Sequence, residues 1–219
     1  MMVSLSQNPP SFANHALTTS LVLNPQGRHY PALKAHMAAH FEDSYYDEDA
    51  IYMERNSRDF RRRIAAIDAN TLAVCEFLHS RSRAASPPPR PAIKEVLYPK
   101  WVTPEHYDRC RVRLPSGEPA GGYGGLFSLT FVSHAASRAF FDALPCHKGP
   151  SLGTNFTLAS PYTILAHYAE LEWAAGYGVE EGLVRVSVGL EDRAALLKGF
   201  ETALLAAEAV VDQEPATGA

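Results

Sequence analysis

Residues 126–132 read Leu126-Phe127-Ser128-Leu129-Thr130-Phe131-Val132, an apolar and aromatic run that is the clearest strand in the chain by composition. It opens out of a loop, Gly117 to Gly125, that holds five glycines around Tyr123. On either side the chain alternates between strand and helix signals. Ile93–Tyr98 reads as a strand, Pro104–Cys110 as a short helix and Ala135–Leu144 as a helix. An irregular segment follows at Ser151–Leu158, then a helix near Pro161–Ala175, a strand at Val184–Val188 and a closing helix from Glu191 to about Val211. One sheet with helices packed over it is the economical way to bury those faces. The fold class is therefore α/β or α+β, and the pattern leaves both open.

Working toward the N-terminus, Ser86-Pro87-Pro88-Pro89 breaks the chain, because proline removes amide donors and continues neither helix nor sheet. Before the break, Phe60, Ile64, Ile67, Thr71, Val74 and Leu78 recur at intervals of three and four. This predicts a helix from Ser57 to about Leu78, with Ser57 as its cap. At 1.5 Å per residue that rod runs roughly 33 Å, long enough to join two lobes. Tyr30–Phe41 reads as a further helix with Pro31 in its first turn, preceded by the turn signature Asn24-Pro25-Gln26-Gly27. The first nineteen residues are polar and proline-containing, and are expected to be a flexible tail.

Composition narrows the function classes. The 219 residues carry 20 Lys+Arg against 24 Asp+Glu, a net charge of -4, with 46% hydrophobic residues. A general nucleic-acid binder needs a stronger basic footprint, so no nucleic-acid partner is expected. No apolar run is long enough to span a membrane, and the N-terminus lacks the pattern of a signal peptide. Three cysteines, Cys75, Cys110 and Cys146, form neither a zinc knuckle nor a disulfide framework and suit a reducing, cytoplasmic setting.

Several motifs carry little chemistry. Gly121-Gly122-Tyr123-Gly124-Gly125 lacks the form of a phosphate loop and precedes a strand, so a tight approach of backbone to a neighbour is the better reading. His36 and His40 sit four apart, with Glu42 and Asp43 nearby, but without a metal-site pattern; no metal is expected. Arg55, Arg58, Arg61, Arg62 and Arg63 read as a salt-bridged helix surface, with an anion patch as the alternative. Arg185 is different. It stands in Arg185-Val186-Ser187-Val188-Gly189 among apolar neighbours, where a charge needs a partner and a guanidinium fork suits a carboxylate. A ligand carboxylate and an internal salt bridge remain equal readings from pattern alone.

Taken in order, these segments resemble the C-terminal part of the cystathionine gamma-synthase group of Cys/Met-metabolism enzymes, in its fungal-looking branch. The resemblance rests on Ser20-Leu21-Val22-Leu23-Asn24-Pro25, Glu54-Arg55-Asn56-Ser57-Arg58-Asp59-Phe60 and the Gly121–Gly125 loop. It rests most on Ser151-Leu152-Gly153 and on Arg185-Val186-Ser187-Val188-Gly189-Leu190-Glu191-Asp192. It covers roughly residues 20–210.

The resemblance implies a pyridoxal-phosphate-dependent family with an aminotransferase-like large domain, a linker helix and a small C-terminal domain with a mainly antiparallel sheet. On that basis residues 20–79 are a large-domain remnant plus linker helix, 80–91 a Pro-rich loop, 92–211 the small domain and 212–219 a tail. The implied chemistry is γ-replacement on an activated homoserine ester by cysteine, within transsulfuration. Arg185 matches the arginine that holds the substrate α-carboxylate, and Ser151 the serine of the Ser-Leu-Gly turn beside it. The implied partners are an amino-acid carboxylate and further copies of the chain or a full-length family member.

One departure matters. No lysine occurs among residues 1–33, where the family places its Schiff-base lysine, and Lys34 does not match it. Without that amine there is no internal aldimine to exchange with a substrate. The chain is expected to be inactive alone and not to hold the cofactor covalently. The alternative expectation is a non-catalytic remnant that packs against a full-length relative.

Overall fold

In a computed structural model the described residues are 2–6, 17–85, 90–118 and 120–213. Most of the Pro-rich break, the C-terminal tail and residues 7–16 lie outside them. The chain forms two compact units, residues 1–60 and 61–219.

The first unit contains a two-stranded ribbon where a tail is expected. β1 (Met2–Ser6) pairs antiparallel with β2 (Leu17–Leu21), Met2 opposite Leu21. β1 alternates from Val3 to Ser6, and β2 carries the β-branched Thr18 and Thr19, residues that suit paired strands. The Asn24–Gly27 turn closes with a bond from Gly27 N to Asn24 O at 3.0 Å. α1 (Tyr30–His40) and α2 (Asp47–Ser57) follow, and neither buries a residue. Three acids in the first turn of α2 favour its start, since negative charge near a helix N-terminus complements the helix dipole.

The helix expected from Ser57 to Leu78 is interrupted at its start. α2 ends at Ser57 and α3 spans Phe60–Ser80. Ser57 is the last residue of α2, where its Oγ donates to the carbonyl of Glu54 at 2.7 Å, and it does not start α3. The apolar stripe holds from Ile67 onward, with Ile67, Thr71, Val74 and Leu78 buried, whereas Phe60 and Ile64 are exposed.

The second unit is α+β. After α3 come β3 (Ile93–Leu97), α4 (Pro104–Asp108), β4 (Leu126–Phe131), α5 (His134–Ala143), β5 (His147–Lys148) and β6 (Leu158–Pro161). Then α6 (Tyr162–His167), a 3-10 turn (Tyr168–Glu170), α7 (Leu171–Gly176), β7 (Val184–Ser187) and α8 (Arg193–Gln213) complete it. The strand order is β3-β4-β7-β6-β5, antiparallel throughout except where β5 meets β6. The single helix expected over Pro161–Ala175 is thus two short helices, split where the backbone leaves the helical region at His167 and Glu170.

Side chains alternate across the sheet and define its two faces. Phe127, Leu129 and Phe131 of β4 share a face with Val184 and Val186 of β7. That face packs against α5 and α8, with ring centroids of Phe127 and Phe200 6.1 Å apart and of Phe131 and Phe140 5.1 Å apart. Val74, Cys75 and Leu78 of α3 complete the same core. Ser133 caps α5 by accepting the amide of Ala136 at 3.2 Å. The alternate residues Ser128, Thr130, Ser160, Arg185 and Ser187 face the other side.

Candidate carboxylate-binding site

Strand β7 lies at the centre of the sheet and carries Arg185 flanked by Ser128 on β4 and Ser160 on β6. Small hydroxyl side chains on both neighbours leave room for a long guanidinium above them. Arg185 is half-buried. Its Nη2 donates to the carbonyl of Pro150, and its guanidinium lies over the ring of Tyr162 at 5.0 Å. Among the described residues no carboxylate pairs with it. Of the two readings left open by the sequence, the internal salt bridge is therefore not formed.

The Ser151-Leu152-Gly153 turn comes to the same place. Pro150 is held by Arg185, and the amide of Gly153 donates to Ser187 Oγ at 2.9 Å. Ser151 is thus bracketed between two anchors on one strand. Gly153 has φ +74°, a left-handed conformation that disfavours any side chain at that point. Ser151 and Leu152 are exposed, and Ser151 Oγ has no partner among the described residues. The hydroxyl of Ser160 is buried and also lacks a hydrogen-bond partner there.

A second layer fixes this arrangement. Thr157 donates its amide and hydroxyl to the Glu191 carboxylate, the latter at 2.9 Å, and Thr157 Oγ1 accepts the amide of Gly189 at 3.0 Å. Leu190 N reaches Asn155 O at 2.8 Å. From α3, Asn70 Nδ2 donates to the carbonyls of Gly189 at 3.3 Å and Glu191 at 3.0 Å. A Cβ at Gly189 would stand 2.5 Å from Phe156 Cα, so this close backbone crossing needs glycine.

The glycine loop makes the tight approach expected of it. Asp68 on α3 accepts the amides of Gly122 at 2.9 Å and Gly124 at 3.0 Å, and a Cβ at Gly122 would lie 2.6 Å from the Asp68 side chain. Those amides already face an anion belonging to the protein, so they form no phosphate cradle. His36 and His40 lie with ring centroids 4.6 Å apart and ring planes tilted by 41°, and among the described residues no group of three metal-ligating side chains exists. In the arginine cluster Arg58 bonds Glu54 at 2.9 Å and Arg55 lies over Tyr52 at 5.7 Å. Elsewhere Arg63 reaches Asn155 Oδ1 at 3.2 Å.

The pyridoxal phosphate that the resemblance implies needs a lysine for its Schiff base. In the second unit Lys94 is held by Glu180 and Lys100 by Glu76, each at 2.6 Å. Lys148 pairs opposite Ala159, hence on the face of α5 and α8. Its Nζ donates to the carbonyls of Phe141 and of Leu144 (2.9 Å) at the end of α5, and burial lowers its pKa from the usual lysine value. Lys198 is exposed on α8, across the sheet from Arg185. Lys34 is exposed on α1. The residues present therefore fit a carboxylate, but they do not fit a covalently held pyridoxal phosphate.

Tyr162, Pro150 and Ser187 go beyond the site residues read from the sequence. Ser187 was within reach, since it lies two residues from Arg185 on a strand and so shares its face. Tyr162 and Pro150 are set by the pairing of β6 with β7, which no local pattern reveals.

Comparisons with known proteins identify the family. Residues 35–205 match the family model of Cys/Met metabolism PLP-dependent enzymes. The chain is 60% identical over 215 residues to the cystathionine gamma-synthase-like enzyme iboG2 of Amanita muscaria, covering 95% of this chain and 34% of that protein. It is 45% identical over 188 residues to the cystathionine gamma-synthase of Neurospora crassa, covering 85% of this chain and 28% of that one. The chain thus spans about a third of the length of the curated relatives it matches. Among solved structures it is similar to the cystathionine gamma-synthase of Xanthomonas oryzae pv. oryzae in complex with cystathionine. There the TM-score is 0.59 and the identity 27%, over 74% of this chain and 38% of that one. The chain belongs to the Cys/Met metabolism PLP-dependent enzymes, in their cystathionine gamma-synthase group.

Proposed function

We propose that this chain supplies the carboxylate-binding part of a cystathionine gamma-synthase-like enzyme, with Arg185 holding the α-carboxylate of an amino-acid substrate. The observation that carries this reading is a half-buried guanidinium with no carboxylate of the described residues beside it, tied to the turn that presents Ser151. Ser151 Oγ, which has no partner among the described residues, would complement a bound carboxylate with a hydrogen-bond donor. The reaction served is γ-replacement on an activated homoserine ester by cysteine, in transsulfuration. Pyridoxal phosphate would supply the carbanion stabilisation that such chemistry requires. Because no lysine of this chain fits that group, catalysis requires a cofactor-bearing polypeptide, and the chain alone is inactive.

A second reading is favoured by one surface. Ile164, Leu165, Tyr168, Trp173 and Tyr177 on the α6–α7 segment are exposed. Clustered apolar side chains of this kind mark protein contacts. On this reading the chain is a non-catalytic remnant that associates with a full-length relative or with another copy of itself. The free thiols Cys75, Cys110 and Cys146 fit a cytoplasmic setting for either reading. Among the described residues no helix is long and apolar enough to cross a membrane.

The test is a titration of the chain with L-cystathionine, followed by calorimetry or amide shifts. Replacing Arg185 by Leu should weaken binding by about tenfold or more, the scale of losing a charge-assisted, bidentate contact. Binding that is unchanged in Arg185→Leu would remove the carboxylate assignment and leave the association reading.

A further inference from the structure

The aromatic ring under Arg185 has a defined position. Ser160 pairs opposite Arg185 and Pro161 opposite Val184, so Tyr162 follows directly from paired backbone. Its own amide donates to Leu183 O at 3.1 Å, which continues the ladder by one bond. Tyr162, the first residue of α6, therefore stands diagonal to Arg185 just past the β6–β7 pairing, within reach of it on the open face. The guanidinium sits over the ring face at 5.0 Å, a separation at which the ring quadrupole attracts a cation. Tyr162 is in turn buttressed by His167, at 5.8 Å between ring centroids, and His167 is held by Glu170 at 2.8 Å.

We propose that Tyr162 is a positioning residue for Arg185: its ring fixes the plane of the guanidinium so that the fork receives a carboxylate. This rests on the carboxylate-binding reading given above. A guanidinium has five N–H donors. One is directed to Pro150, and among the described residues no other hydrogen bond to Arg185 is formed. Two contacts of different kind, a hydrogen bond at one nitrogen and a ring beneath the plane, leave the rotation of the side chain little freedom. The unused donors then point away from the strand in one orientation. A long side chain held in this way loses less rotamer freedom when a ligand arrives, and preorganisation of that sort raises affinity without adding a ligand contact. An apolar residue of similar bulk would fill the space but could not attract the cation.

The full chain, labelled with nitrogen-15, carries the test. The Arg185 Nε–Hε signal, assigned by its disappearance in Arg185→Leu, reports side-chain mobility through its heteronuclear NOE. It reports ring proximity through an upfield displacement of Hε. Tyr162→Phe should keep both properties and the affinity for L-cystathionine. Tyr162→Leu should lower the NOE, abolish the displacement and weaken L-cystathionine binding about two- to fivefold. Should the leucine variant fail to fold, Tyr162→pentafluorophenylalanine keeps the shape, reverses the ring quadrupole and should lower the NOE and the affinity in the same way.

An NOE and an affinity equal to wild type in the leucine or fluorinated variant would overturn the proposal. The two readings fail separately. If Arg185→Leu binds L-cystathionine normally, or if the wild type does not bind it, the carboxylate reading falls. The NOE of the Tyr162 variants still decides whether the ring positions Arg185.

Discussion

Gly153 and Ser187 are joined by a hydrogen bond of 2.9 Å from the amide of one to the hydroxyl of the other. Because Ser187 is two residues beyond Arg185, that bond ties the Ser151 turn to the strand bearing the guanidinium, on the same face. The distance between a candidate carboxylate clamp and its companion hydroxyl is thereby set by one strand.

Replacing Ser187 by Ala removes this tie while keeping the strand. The expected cost in stability is about 0.5–1.5 kcal/mol, the net worth of one hydrogen bond. Amide exchange at Gly153 should quicken and L-cystathionine binding should weaken, both measurable by NMR on one sample. Unchanged exchange at Gly153 would show that the turn is held by its other contacts.

Gly189→Ala tests the backbone crossing behind the site. The added methyl would stand 2.5 Å from Phe156 Cα and 2.6 Å from Asn155 O, and backbone on both sides has little room to yield. A loss of about 1–3 kcal/mol in urea unfolding is expected, as for overpacking elsewhere. Gly121→Ala at the loop meets no atom within 4 Å and should cost less, although its φ of +79° adds some strain.

The thiols should separate by environment. Burial pushes the Cys75 thiol well above its ordinary range and raises Cys146 as well, only partly offset by the nearby Lys148 ammonium. A raised thiol pKa means less thiolate at a given pH, so alkylation slows. Iodoacetamide at mildly alkaline pH should label exposed Cys110 first, Cys146 more slowly and Cys75 only on unfolding. The stability contributed by keeping Cys75 neutral is fully present below the unfolded thiol pKa. It falls as pH rises through that value toward the higher folded one, so alkaline pH should destabilise the chain.

Pyridoxal phosphate followed by borohydride should yield no stoichiometric adduct on a single lysine. Peptide mapping should find scattered labelling at exposed Lys34 and Lys198, with Lys148 slow because its Nζ is bonded to the end of α5. The lowered pKa of Lys148 favours its free-base form, so any labelling there should increase as pH rises toward the ordinary lysine range. One dominant adduct would overturn the statement that this chain does not fit the cofactor.

The sequence made some of this legible for local reasons. β4 and α8 are long enough for composition and periodicity to identify them. Arg185 was conspicuous because a charge among Val184, Val186 and Val188 has few structural uses. β5 and β6 were not legible: a two-residue strand has no period, and Leu158–Pro161 becomes a strand only by pairing with β7. The break between α2 and α3 was hidden because Ser57 reads as a cap whether its hydroxyl accepts or donates. Tyr162 looked like one more aromatic residue after a proline, since its role depends on the register of two strands.

The bond between Asp68 and the glycine loop has a consequence for the whole sheet. Gly124, fastened to α3 through that carboxylate, stands two residues before β4 begins, and Gly125 O accepts the amide of Val188, the residue just past β7, at 2.8 Å. The helix thereby sets where the β4–β7 ladder starts counting. Sliding β4 by one residue would turn Phe127 and Leu129 outward and bring Ser128 and Thr130 into the core. A single acidic side chain on α3 thus guards the parity of the sheet and with it the small hydroxyl neighbour that Arg185 lies against.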